Sequence, residues 1–185
     1  FIQWKDLRFD PVDGDMFMQK INSFGDALWA DGVQIDPADG VNFSGRFASN
    51  NLGGFDIFWE RGVYPNVDIL FKRFGSSGSP LTNDPINVAV GDGYQFAPNV
   101  ISGIGDSVFV VFADQSTGSI DLRVQYFQGN DPLMQENGIL AQKGLDGDIK
   151  YNNAFFNQNQ DITLFWEDNR ASKKIYSNRL SDNAF

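Results

Sequence analysis

With 185 residues, 42% of them hydrophobic and 15% aromatic, the chain can bury a core of its own and lacks the composition of a disordered segment. A net charge of −10, from 24 acidic against 14 basic residues, argues against nucleic acid and anionic membranes as partners and leaves calcium or neutral glycans open. Neither cysteine nor histidine occurs, which removes disulfides, thiolate chemistry, histidine-ligated zinc and any mechanism with a histidine base.

In chain order, the first strand-forming run is Phe1-Ile-Gln-Trp4-Lys-Asp6, with Ile2 and Trp4 on one face at period two. A second run follows at 15–21 and a weaker third at 28–35. The run Phe55-Asp-Ile-Phe-Trp59-Glu-Arg61 then repeats the first, and Val108-Phe-Val-Val-Phe112-Ala-Asp114 and Ile162-Thr-Leu-Phe-Trp166-Glu-Asp168 repeat it again. The aromatic anchors at 4, 59, 112 and 166 are spaced by 55, 53 and 54 residues. The partner runs keep stricter time: Met16, Ile69, Leu122 and Ile175 are each 53 apart, as are Ile21, Phe74, Phe127 and Leu180. Polar stretches such as Gln115-Ser-Thr-Gly-Ser119 between paired runs read as hairpin turns. Weaker strands are expected around Ile86–Val90, Phe96–Ile101 and Tyr151–Phe156.

A repeat of this length, four short strands to a copy, predicts an all-β chain: a β-propeller or propeller segment of roughly 53-residue, four-stranded antiparallel blades that stack because no single sheet buries both faces. Residues 1–40 read as a partial blade, 41–90 and 91–142 as full blades, and 143–185 as a second partial blade. Phe1 opens inside an apolar strand, so the expectation is a region of a longer chain carrying further blades. No run reaches the roughly 20 apolar residues of a membrane helix.

The phrase Trp-x-Asp-x-Arg is the most specific motif: Trp4, Asp6 and Arg8, then Trp166, Asp168 and Arg170, with Asp114 kept beside Phe112 and Arg61 replacing the acid beside Trp59. A carboxylate just past a strand accepts N–H bonds in the turn and pairs with a nearby arginine, and repetition marks the phrase as structural. Asp10, Asp13 and Asp15 form an acid-rich glycine turn that can supply calcium ligands, although it does not complete an EF-hand pattern. Glu60, Glu136, Glu167 and the turn aspartates are the carboxylates from which a glycosidase pair would have to come. Trp29, Tyr64, Tyr94 and Tyr126 lie outside the anchor positions and are candidates for a sugar-stacking platform; Trp29 reads more as packing between blades, and Tyr64 is the most open to binding. Gly91-Asp-Gly93 reads as a turn, not a phosphate loop, because no helix follows.

The stretch Phe165-Trp-Glu-Asp-Asn-Arg170…Lys174-Ile-Tyr-Ser-Asn-Arg-Leu180 resembles the Trp-x-Asp-x-Arg…Asp-Ile-Tyr-Ala-Gln-(Lys/Arg)-Leu repeat of secreted bacterial β-propeller proteins, many of which carry a sorting domain for the type 9 secretion system. The stretch Asp15–Val33 resembles the same repeat. The WD40 pairing, a repeated kelch diglycine and an intact sialidase Asp-box are absent. The resemblance implies a secreted or cell-surface bacterial protein. We therefore expect a non-catalytic scaffold or binding module that meets a protein or a glycan, within a secretion or surface assembly or against remaining blades of its own chain. The alternative is an accessory or catalytic propeller of a secreted polysaccharide hydrolase.

Overall fold

The structure, a computed structural model, describes residues 1–8, 11, 14–37, 45–144, 149–156, 161–168 and 172–180, with only the backbone at Lys150 and Tyr151. Every regular element among these is a β-strand, and all pairings within the sheets are antiparallel. Four sheets follow one another along the chain. The first joins β1 (Ile2–Asp6), β2 (Asp15–Gln19) and β3 (Val33–Gln34). The second is β4 (Arg46–Ser49), β5 (Phe55–Val63), β6 (Asn66–Phe74) and β7 (Ile86–Ala89) in order. The third is β8 (Gln95–Ser102), β9 (Ser107–Asp114) and β10 (Asp121–Gln128), whose outer edge is shared by β11 (Asp131–Pro132) and β12 (Ile139–Gln142). The fourth is β13 (Ile149–Phe156), β14 (Ile162–Asp168) and β15 (Lys174–Leu180).

Period-two alternation explains how the sheets stack. Ile57 and Trp59 point toward the first sheet and join Met16, Met18 and Ile35 in one core. Phe58, between them, points the other way and meets Val110, Phe112 and Phe127 of the third sheet. Phe109 and Val111 turn to the fourth sheet and meet Leu164 and Trp166. Each anchor thus faces the preceding sheet and the residue before it faces the following one, so a central strand is apolar on both faces. The outermost sheets lose one partner, and their burial shows it. All eight residues of β9 are buried, whereas β14 alternates buried with half-buried and Ile2 of β1 is half exposed.

Two features of the repeat emerge only here. The edge opposite the strand carrying Ile21, Phe74 and Phe127 is broken in two: these residues bridge Ala27, Pro80 and Pro132, and the main outer strand begins later in each case. The first strands of successive sheets also lie side by side, β4 against β8 and β8 against β13, so the sheets converge along that edge. Polar links cross between sheets. Buried Arg73 donates from Nε to Asp56 at 2.9 Å within its own sheet, and its Nη1 and Nη2 reach Asp106 in the β8–β9 loop, Nη1 at 2.9 Å. Asn137, at φ +60°, accepts from the Val90 N–H (3.0 Å) and donates to the Val90 carbonyl (3.1 Å), pairing like a strand edge across the second and third sheets.

Candidate functional site: an aromatic and polar rim beside the first strands

The repeated carboxylates hold the rim together. Asp6 accepts from the Arg8 N–H at 2.9 Å, from Arg8 Nε at 2.9 and 2.8 Å, and from Trp4 Nε1 at 3.2 Å. The guanidinium holds its carboxyl well below the usual carboxylate range. Asp114 has no arginine two residues on; Ser116 donates its N–H there (2.9 Å), and Arg123 on β10 supplies the guanidinium at 2.7 Å. Gln95 donates to the other side of this buried acid at 3.4 Å. Arg61, where the charge is reversed, pairs instead with buried Asp36 beyond β3, at 3.2 Å, and so ties the second sheet to the first. Asp168 is buried at the matching place in the fourth sheet, next to the anchor Trp166; Arg170 lies outside the described residues.

On this rim the β5–β6 hairpin and the loop before β8 bring three aromatic rings together. Tyr64, at the hairpin tip and 70% exposed, meets Tyr94 edge to face at 5.7 Å, and Tyr94 stacks on Phe96 at 4.3 Å and 16°. The loop is pinned by backbone and side-chain bonds: Val67 N–H to the Gly93 carbonyl, Gly93 N–H to Asn66, Gly91 N–H to Asp68 and Gln115 N–H to the Tyr94 carbonyl. Gly93, at φ +101°, runs so close to Ser116 that a Cβ would lie 2.8 Å from its Cα. Only glycine suits both constraints.

Behind the rings stands Glu60. Its Oε1 accepts from the Ala97 N–H at 2.9 Å, and its Oε2 lies 3.5 Å from the Tyr94 hydroxyl. Burial pushes its carboxyl up from the ordinary value, and burial and the Glu60 charge together push the Tyr94 phenol up. Ala97 sits at φ +53° where β8 slips register between Phe96 and Asn99, a strained position for a residue with a Cβ. The Asn152 amide binds the Ala97 carbonyl at 3.1 Å, and the Asn99 amide reaches the Asn152 carbonyl and the Asn153 side chain, each at 3.3 Å. The result is a polar seam along the first strands, bordered by exposed aromatic surface. Such a surface can stack a flat apolar ring face and hydrogen-bond its hydroxyls.

Of the four candidate platform residues, the structure unites Tyr64 and Tyr94. Trp29 packs against Phe1 (6.0 Å) and Phe55 (5.9 Å), and Tyr126 stacks on Phe109 at 3.9 Å. The three candidate glutamates occupy separate surroundings. Glu60 faces Ala97 and Tyr94; Glu167 is 3.2 Å from Lys173; Glu136 lines a cavity of about 220 Å³ between the second and third sheets with Val88, Gln125 and Asn137. Asp10 and Asp13 lie outside the described residues, and Asp15 opens β2 across from Asp6. Among the described residues no acids cluster as a metal site. Phe96, Ala97, Asn99, Asn152 and Arg46 were not singled out from the sequence. Arg46, Asn99 and Asn153 are in fact 53 and 54 apart and pair across from Phe58, Val111 and Phe165, so the repeat register alone could have found them.

No family model matches the chain, and no curated protein matches it. Among solved structures it is similar to the endo-arabinase from Bacteroides thetaiotaomicron VPI-5482, with a TM-score of 0.53 at 11% identity. The likeness covers 92% of this chain and 67% of that one. It speaks for a shared β-sheet fold.

Proposed function

We propose that the chain is a β-propeller segment that binds carbohydrate at the rim formed by Tyr64, Tyr94 and Phe96, as a recognition module of a secreted or cell-surface bacterial protein of the repeat class it resembles. The observation that carries this reading is the aromatic ladder set directly beside Glu60 and the asparagine seam of the first strands. Four consecutive sheets with interleaved cores and converging first strands support the propeller architecture, and the net charge of −10 disfavours a polyphosphate. The test is titration of the purified chain with a panel of soluble polysaccharides by calorimetry. Tyr94→Ala should weaken binding about tenfold or more, about 1.4 kcal/mol, while leaving the unfolding midpoint close to wild type. Unchanged affinity in that variant would remove the site.

A second reading, hydrolysis, is favoured by the similarity to an endo-arabinase together with the shielded, hard-to-ionise carboxyl of Glu60, which has the character of a general acid. It needs a second carboxyl at a set separation. Among the described residues the polar groups meeting Glu60 are the Ala97 N–H, the Tyr94 hydroxyl and the charge of Arg46, so binding is the better supported function. Release of reducing ends from arabinan by wild type but not by Glu60→Gln would reverse that order.

A further inference from the structure

Arg46 stands apart from the other described arginines. Arg8, Arg61, Arg73, Arg123 and Arg179 each have a carboxylate within ion-pair distance, whereas the hydrogen bond of the Arg46 guanidinium goes to the neighbouring Gly45 carbonyl. Lys20 and Lys72 likewise donate to carbonyls, those of Gly53 and Asn83, so what distinguishes Arg46 is an exposed guanidinium without an ion pair among the described residues. Its place is specific. Arg46 is exposed on β4 and paired across from Phe58, hence on the same face of the second sheet as Glu60 two residues further on, the face that looks toward β8. Glu60 lies near enough for the two charges to be felt, but the described contacts of its oxygens are to the Ala97 N–H and the Tyr94 hydroxyl and no ion pair with Arg46 forms. The repeat puts neutral amides, Asn99 and Asn153, at the matching positions of β8 and β13. The first strands therefore present one fork-shaped cation followed by two amides, with the Tyr64–Tyr94–Phe96 rings to one side.

We propose that Arg46 selects an acidic saccharide, the carboxylate of a uronate residue seated on the guanidinium while the amide seam meets ring hydroxyls. This rests on the carbohydrate-binding reading above. A guanidinium stays charged at any working pH and matches a carboxylate with two parallel N–H donors, which a neutral polymer does not use.

The experiment compares polygalacturonate with arabinan as probes, both in the presence of EDTA so that calcium cannot bridge polymer and protein. Wild type, Arg46→Met, Arg46→Lys and Tyr94→Ala are titrated. Wild type should bind polygalacturonate at least about tenfold more tightly than arabinan, with the preference shrinking as salt rises. Arg46→Met should erase the preference and keep the arabinan affinity, and Arg46→Lys should keep part of it. Because Arg46 is exposed, its variants should unfold at the wild-type midpoint. Equal binding of both polymers by wild type, or a preference that survives Arg46→Met, overturns the proposal even if Tyr94→Ala weakens both polymers and so upholds the site. Failure of both polymers to bind overturns the carbohydrate reading itself.

Discussion

Glu60 shows how one residue can serve both fold and site. Its carboxylate satisfies the N–H of Ala97 at a strained turn of β8, and the same burial that makes that bond useful makes ionisation costly. Because the folded carboxyl holds its proton more tightly than the unfolded one, stability should rise as pH falls from neutrality through the folded pKa, levelling off below the ordinary value of 4.5. Glu60→Gln retains an acceptor for Ala97 and has nothing to titrate. Its thermal midpoint should therefore lack this component of the wild-type rise between neutrality and the ordinary value of 4.5, in scans of both proteins across that range. A rise of the same size in both would show that Glu60 does not carry it. Asp6 behaves oppositely: the Arg8 side chain and N–H lower its pKa, and the exposure of Arg8 keeps that bond of small consequence for stability.

At the scale of elements, connections carry as much information as strands. Asn137 occupies a left-handed turn that asparagine tolerates better than most residues with a Cβ, and it uses that turn to present an amide to the Val90 backbone. Asn137→Ala leaves a half-buried N–H and C=O without partners and adds backbone strain, for an expected cost of about 1–3 kcal/mol. Asn137→Gly loses the same bonds but relieves the strain, so its urea midpoint should fall between those of wild type and the alanine variant. An alanine variant as stable as wild type would mean that the clip contributes nothing. The buried Arg73 between Asp56 and Asp106 is a second such link; burial raises the Asp56 carboxyl while the more exposed Asp106 is lowered by the guanidinium, one cation acting on two acids in different surroundings.

For the whole molecule, stability follows from position in the stack. Phe58 lies fully buried between the second and third sheets, whereas its repeat counterpart Phe165 is half-buried on the far face of the fourth and stacks on exposed Phe155. Phe58→Ala should cost about 3–5 kcal/mol. Phe165→Ala in the same 185-residue chain should cost less than half as much, since water already reaches that face. Denaturant unfolding of the two variants checks this, and equal losses would contradict a stack in which each apolar face is completed by its neighbour.

The strand repeat was legible because it is carried by residue type at fixed spacing. Period two put Trp59 and Phe58 on opposite faces, and the 53-residue step from Ile69 to Leu122 marked them as equivalent before any coordinates. That reading extends to an all-β, antiparallel chain, and Tyr64 and Tyr94 were both marked as possible binders. Their meeting was not legible, because it depends on a hairpin tip and a separate loop folded together by backbone bonds that no side-chain pattern announces. Nor could sequence tell that Asp114 borrows Arg123 from the next strand, that Arg61 reaches back to Asp36, or that Arg46 makes no ion pair among the described residues while its fellow arginines do. Strand type and register are local properties, fixed by alternation and spacing along one chain. The site is made where first strands of different sheets converge, and those distances are set only when the apolar faces close on one another.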